Sequence, residues 1–358
     1  MRTKANIALV TSFPPGTGIF RFFGNLANFG FYSKLLYFKS LQDKFKAKST
    51  TKYSTIGPKM IPDKVSYILS FAFPSIWSNE IVKHDFVHII SPDFFHLSKF
   101  KQSVIGTVHD LYIFENNTKL DYSWYYRFFE KMDLNYCHDL LGVTTISKNT
   151  DKILKHFFPK VKSKTIHHWT PDCFSKIDKS LCRKKLSIPD SKFILLNLSF
   201  SSSNKNLESL GKIMDALSEE YLLIHIGNSK VVCNNPDRIL NVNRYLDDQL
   251  LVEYYNSADL YLAPSTSEGF NYPVIEALNC GVPVLASDIE IFHEVLMNSP
   301  YLIPFDIVEW RDAIISLSDR KALKDAIDWY DINIGNYYRE KRGKMEFMEF
   351  YSSLGVDL

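Results

Sequence analysis

Cysteine is scarce in this chain, with five in 358 residues: Cys137, Cys173, Cys182, Cys233 and Cys280. They are odd in number, scattered and never spaced C-x-x-C, which argues against a disulfide framework and against a structural zinc site. Reduced cytosolic thiols are the expectation. An excess of either charge is also lacking: 42 Lys and Arg face 40 Asp and Glu. Such a balance gives no electrostatic reason for a nucleic-acid partner. The longest apolar stretch, around Tyr67 to Trp77, carries Ser70 and is broken by Pro74, short of the roughly 20 residues a membrane-spanning helix needs. The apolar run after Arg2 and Lys4 ends at Pro14-Pro15-Gly16 without the small-residue cleavage site of a signal peptide. A cytoplasmic protein, with at most peripheral membrane contact, is therefore expected. No repeat period is visible, which removes solenoids and propellers.

What is present is a globular composition, 46% hydrophobic and 23% charged, over a length that suits two domains at about 150 residues each. Short β-rich runs alternate with helical spacing through both halves. In the first half the runs are Ala5 to Thr11, Phe86 to Ile90, Ser103 to Val108 and Gly142 to Ile146. In the second they are Phe193 to Leu198, Tyr221 to Ile226, Asp259 to Ala263 and Val282 to Ala286. This alternation predicts parallel sheets covered by helices. The polar, Lys-rich stretch from Ser175 to Ser191 reads as the boundary. Trp310 to Tyr351 reads as helical throughout. The expected division is residues 1–175, 176–335, and a C-terminal helix over 336–358 that crosses back to the first domain.

The informative segment is Asp259 to Ser287, DLYLAPSTSEGFNYPVIEALNCGVPVLAS. A strand ends near Ala263, a loop follows, and Pro273 suits the start of a helix because its missing N–H would be unpaired there anyway. Glu268 lies on the loop and Glu276 one turn into the helix. In one unbroken helix residues eight apart would sit about 80° apart around the axis. The loop-to-helix break instead allows both carboxylates to converge on one ligand, while free N–H groups at the helix start face an anion such as a diphosphate.

With its flanking strands, E-G-F-N-Y-P-V-I-E resembles the donor site of the retaining glycosyltransferases of family 4. The resemblance is reinforced by Tyr254-Tyr255-Asn256-Ser257-Ala258-Asp259 before it and G-V-P-V-L-A-S after it. It implies the α/β GT-B fold, two Rossmann-like domains facing a central cleft. It also implies that Glu276 holds the nucleotide ribose, that Glu268 contacts the transferred sugar, and that the backbone of Gly269, Phe270, Asn271 and Tyr272 approaches sugar and phosphates. Lys205, in Asn204-Lys205-Asn206-Leu207, resembles the family's phosphate-binding lysine, although Ser199 and Phe200 stand where the family often places an arginine. His109, in Thr107-Val108-His109-Asp110, resembles its sugar-contacting histidine. Gly16 and Gly18 resemble its Gly-rich first loop. Arg21 occupies the third-glycine position of a dinucleotide fingerprint, which argues against a nicotinamide enzyme. His167-His168 has no spaced metal-ligand partners and reads as structural.

The implied activity is metal-independent transfer of a hexose from a nucleoside-diphosphate sugar to a glycan or lipid-linked acceptor, with no cofactor. A nucleotide-sugar epimerase of the same fold, or a non-catalytic assembly partner, are the alternatives. Between Lys34 and Lys64, eight lysines (Lys34, Lys39, Lys44, Lys46, Lys48, Lys52, Lys59 and Lys64) face only Asp43 and Asp63, a local excess of six. Leu35, Leu36, Tyr37, Phe38, Leu41 and Phe45 are interleaved with this charge. A basic, apolar stretch of this kind fits peripheral docking on an anionic membrane.

Overall fold

The computed structural model describes residues 5–13, 17–38, 54–56, 63–111, 114, 124–200, 202–244 and 246–358. It divides into two compact units. The first comprises the described residues up to His168 together with Gly343–Leu358, and the second is Trp169–Arg342.

In the first unit the elements are β1 (Ile7–Thr11), α1 (Gly18–Ala27), β2 (Lys34–Tyr37), β3 (Ser54–Thr55), α2 (Asp63–Ala72), α3 (Ser75–Ile81), β4 (Phe86–Ile89), β5 (Val104–Val108), α4 (Trp124–Leu134), β6 (Gly142–Thr145), α5 (Lys148–Phe157) and β7 (Ser163–Thr165). The described strands form one parallel sheet in the order β3-β2-β1-β4-β5-β6-β7. β1 (IALVT) and β5 (VIGTV) are buried at every position, the signature of strands covered on both faces. Gly106 in β5 is required by crowding: a Cβ there would lie 2.6 Å from the Phe95 ring and 2.7 Å from Leu140. Thr17 starts α1 by accepting the Phe20 N–H at 3.1 Å, and Ser147 does the same for α5 with Thr150.

The second unit contains α6 (Lys179–Leu186), β8 (Phe193–Leu198), α7 (Leu207–Ala216), β9 (Tyr221–Ile226), β10 (Ile239–Val242), α8 (Asp248–Ser257), β11 (Leu260–Ala263), α9 (Tyr272–Asn279), β12 (Val284–Ser287), α10 (Glu290–Val295), β13 (Leu302–Ile303), α11 (Ile307–Leu317), α12 (Arg320–Asn333) and the start of α13 (Glu340–Ser353). Its parallel sheet runs β10-β9-β8-β11-β12-β13. Each sheet thus reverses strand order beside its first strand, at β1/β4 and at β8/β11. The C-terminal ends at such a switch point are where doubly wound sheets bind ligands.

Three sequence expectations need correction. The stretch Ser175 to Ser191 is not the boundary: it lies inside the second unit, holds α6, capped by Asp178, and its buried Arg183 pairs with Asp259 at 2.6 Å. The divide falls after His168, earlier than residue 175, because Trp169 and Phe174 are completely buried and the Thr170 N–H bonds Tyr338 O within the second unit. The segment Trp310 to Tyr351 is not one helical run. Asp319 opens α12 afresh by accepting from Lys321 and Ala322, and residues 334–339 separate α12 from α13. Residues 336–342 stay with the second unit, where the Tyr338 hydroxyl donates to Val295 O at 2.7 Å and Arg339 donates to Phe174 O and Asn279 O.

From Gly343 onward α13 belongs to the first unit. Tyr351 enters a chain of hydrogen bonds, Tyr32 to Tyr351 at 2.6 Å, Tyr351 to His88 Nδ1 at 2.7 Å, His88 Nε2 to Thr107 at 2.8 Å, and Thr107 to Thr144 at 2.7 Å. Each hydroxyl and ring nitrogen in the interior of the chain answers another, and the returning helix supplies the partner of His88 Nδ1 on β4. Burial pushes the His88 imidazole down to about 3, which keeps it neutral.

Candidate functional site

Two loops at the strand ends of the second unit are stitched together. After β8 the chain makes a tight turn, Ser203–Lys205, and Asn206 takes a left-handed conformation with φ +51°, one that Asn tolerates better than most residues. Asn204 donates to Ser267 O at 2.8 Å and its carbonyl accepts the Thr266 N–H at 2.8 Å. Asn206 donates to Pro264 O at 3.2 Å. The loop after β11 is thereby fixed on the loop after β8.

Glu268 sits at the centre of this arrangement. Its Oε1 accepts from Lys205 Nζ at 2.5 Å, Ser265 Oγ at 2.6 Å and Asn271 Nδ2 at 2.9 Å. The Glu268 side chain is only 6% exposed against 22% for Lys205, so the pair is charge-assisted and partly withdrawn from water. Asn271 is again left-handed, with φ +78°, and stands immediately before α9. The sequence reading gave Lys205 and Glu268 separate ligands; the structure pairs them with each other. Ser265, Asn204 and the side-chain role of Asn271 were not anticipated, though the Ser, Asn and Gly content around Glu268 is the composition such a hydrogen-bonded loop needs.

Gly269 is half-buried and Phe270 is turned into the core, 2% exposed, with its ring edge-on to Tyr338 at 5.7 Å. Its side chain anchors the loop. Tyr272 opens α9, followed by Pro273. Glu276 is the fifth helical residue, past the first turn, and 2% exposed. Its Oε2 accepts from the Tyr255 hydroxyl at 2.7 Å. Tyr255, in α8, thereby orients the carboxylate.

In the first unit His109 follows β5 and is 5% exposed. Its Nε2–H donates to Ile90 O at 2.8 Å, which fixes the tautomer and leaves Nδ1 as the acceptor. Its ring lies edge-on to Phe22 at 5.1 Å and 5.4 Å from His168. Burial holds it down at about 4, so it is neutral at physiological pH. His168 is thus part of an aromatic layer around His109. Gly18 is the first residue of α1, beside the Thr17 cap. Gly16 lies outside the described residues, as do Lys39, Lys44, Lys46, Lys48, Lys52 and Lys59 of the basic stretch. Among the described residues, no group of three or more His, Cys, Asp or Glu is placed to hold a metal ion, and no helix is long and apolar enough to cross a membrane.

Two parallel, doubly wound sheets with a carboxylate–lysine cluster at the strand ends of the second define a GT-B protein. Residues 193–320 match the family model for glycosyl transferases group 1, the segment that carries this cluster. The chain is 29% identical over 248 residues to the O-antigen chain mannosyltransferase RfbU of Salmonella typhimurium, covering 64% of each chain. It is 22% identical over 180 residues to the alpha-galactosylglucosyldiacylglycerol synthase of Streptococcus pneumoniae, covering 47% of this chain and 48% of that one. The chain therefore spans roughly half to two thirds of the length of these relatives. Among solved structures, sucrose-phosphate synthase of Thermosynechococcus elongatus superposes with a TM-score of 0.79 at 18% identity, covering 98% of this chain and 99% of that one. HepE of Anabaena, in complex with UDP and glucose, gives 0.74 at 12% identity, with 98% and 100% covered.

Proposed function

We propose that the chain is a retaining glycosyltransferase that moves a hexose from a nucleoside-diphosphate sugar to a hydroxyl of a glycan or lipid-linked acceptor. The observation that carries this reading is the Lys205–Glu268–Asn271 cluster at the strand ends of the group 1 segment. Its cation stands beside the start of α9, where free N–H groups favour a diphosphate. Glu276, held by Tyr255, takes the ribose hydroxyls. Glu268 contacts the transferred sugar, and Lys205, bridging to it, neutralises the leaving diphosphate. His109, in the first unit, offers a neutral Nδ1 acceptor suited to a sugar hydroxyl. With these charges supplied by the protein, the transfer needs no metal, and a strong chelator should leave the rate intact. The leaving phosphate assists loss of the acceptor proton. RfbU is named as a mannosyltransferase and HepE is seen with UDP and glucose, which supports a hexose donor. The basic stretch between Lys34 and Lys64 fits docking on an anionic membrane, the location of a lipid-linked acceptor.

A thermal-shift screen across UDP-, GDP- and ADP-sugars tests the reading, since a ligand that binds only the folded state raises its melting temperature. One nucleotide class should stabilise the protein, and the Glu276→Ala variant should lose that response. Stabilisation by none of them would sink the proposal. Formation of an isomerised sugar from the donor alone would transfer it to an epimerase.

A further inference from the structure

The hydrogen bonds around Glu268 fall unevenly on its two carboxylate oxygens. Oε1 accepts from all three donors, Lys205 Nζ at 2.5 Å, Ser265 Oγ at 2.6 Å and Asn271 Nδ2 at 2.9 Å, while Oε2 accepts from none of the described residues. A carboxylate oxygen offers two lone pairs, so Oε1 holds one donor more than it can fully use. The two neutral donors stand three residues to either side of Glu268, on the loop between β11 and α9, and they alone fill it. Lys205 is the surplus donor, and it comes from the other loop, after β8.

Asn271 is placed for this carboxylate rather than for its helix. It stands at the position that opens α9, where an Asn side chain ordinarily accepts a first-turn N–H, yet it makes no such cap. Its backbone is left-handed at φ +78°, and its Oδ1 is buried without a hydrogen-bond partner among the described residues. A carboxylate can only accept, so the amide must face it with the nitrogen, and the unmatched Oδ1 follows from that orientation. Lys205 is held differently. Asn204 and Asn206 on either side of it are bonded to Ser267 O and Pro264 O, which pins the backbone, while its side chain keeps 22% of its surface in solvent. A flexible stem on a fixed backbone can turn its ammonium from one acceptor to another without moving either loop.

We propose that Ser265 and Asn271 are positioning residues that hold Glu268 in place while Lys205 passes from it to the diphosphate of the donor. This rests on the glycosyltransferase reading and deepens it by dividing the cluster into a fixed part and an exchangeable part. In the ligand-free protein Lys205 neutralises Glu268. When a diphosphate arrives at the start of α9, beside Asn271, the ammonium turns to it. Oε1 stays filled by the two neutral donors, so the buried carboxylate neither swings after its counter-ion nor is left without hydrogen bonds. Oε2 remains open to the sugar.

The test is a double-mutant cycle read by calorimetry on the full chain, with UDP, GDP and ADP as probes. Wild type should bind one of them. Asn271→Gly keeps the left-handed backbone and deletes the amide. Oε1 then leans on Lys205, and affinity for that nucleotide should fall about threefold, within the range of one neutral hydrogen bond. Ser265→Ala should act in the same direction, and it carries the test if Asn271→Gly fails to fold. Glu268→Gln releases Lys205 and should raise affinity by up to about fivefold, the scale of a partly exposed ion pair. In the Glu268→Gln background, Asn271→Gly and Ser265→Ala should each change affinity by less than about 1.5-fold, because the anion through which they act is gone. A loss that persists in that background would mean that these side chains shape the loop or touch the nucleotide themselves, and would overturn the handover. So would weaker nucleotide binding by Glu268→Gln than by wild type, or wild-type affinity in both Ser265→Ala and Asn271→Gly. Each of these outcomes is read with a nucleotide bound to wild type and leaves the glycosyltransferase reading standing, whereas binding of no nucleotide to wild type removes that reading and the handover with it.

Discussion

The two units share a topology and differ in how they treat charge at their strand ends. In the second, charges are paired: Lys205 with Glu268, and Arg183 with Asp259 further back. In the first, His88 and His109 are pushed down and Glu130 is pushed up, so these three are held neutral, while the buried Asp133 is met by the His96 ring. Pairing suits a ligand that carries its own charge, because a cation can exchange one anion for another at modest cost. Neutral buried groups suit a ligand without charge, because nothing in the site demands a counter-ion.

The sharpest way to break this contrast is at the paired cluster. Glu268→Gln removes the charge but keeps the shape, and kcat should fall on the order of 100-fold with a smaller change in donor KM, the pattern of an interaction strengthened in the transition state. Equal losses of nucleoside-diphosphate affinity and kcat would mean that Glu268 serves the diphosphate instead. Next in size is Glu276→Ala, which should weaken nucleoside-diphosphate binding by about 1.5–3 kcal/mol, the range for hydrogen bonds to a charged group. Calorimetry that finds no change would remove the ribose role. In the first unit, Tyr351→Phe deletes the hydroxyl linking Tyr32 to His88 and should cost about 1–2 kcal/mol of stability by denaturant titration, with donor affinity untouched.

The clearest pH signature lies at Glu130. The Glu130 carboxyl rises from 4.5 to about 9 on folding, so the folded chain keeps a proton that the unfolded chain releases. Its penalty is absent below about 4.5, grows as pH rises, and levels off above about 9. Glu130→Gln carries no such penalty. The variant should therefore melt above wild type by a margin that widens between these limits, and a margin independent of pH would refute a neutral Glu130.

Much of the second unit is legible in the sequence. β8 and β9 fall on the residues read as strands, since continuous apolar runs such as FILLNL and YLLIHI bounded by polar turns leave little choice. The edge strands β7 (SKT), β10 (ILNV) and β13 (LI) are invisible because they are short and half-exposed, and neighbouring strands rather than their own patterning hold them. Around Glu268 the residue types were readable and the partnerships were not. That Lys205 reaches Glu268 across 63 positions depends on β8 and β11 being adjacent, which is a property of topology. Glu130 was missed altogether: on a helix, one carboxylate among many looks like a solvated charge until tertiary packing covers it.

The return of α13 has a consequence for the order of assembly. The second unit is one continuous segment, Trp169–Arg342, whereas the first is completed only by Gly343–Leu358. During synthesis from the N-terminus, Tyr351 emerges after the whole of the second unit has been made. Until it arrives, His88 Nδ1 lacks the hydroxyl that links it to Tyr32, and β4 carries an unanswered buried polar group. The second unit can thus close its core first, and the segment made earliest is the last to finish folding, inverting the usual order for domains on a nascent chain.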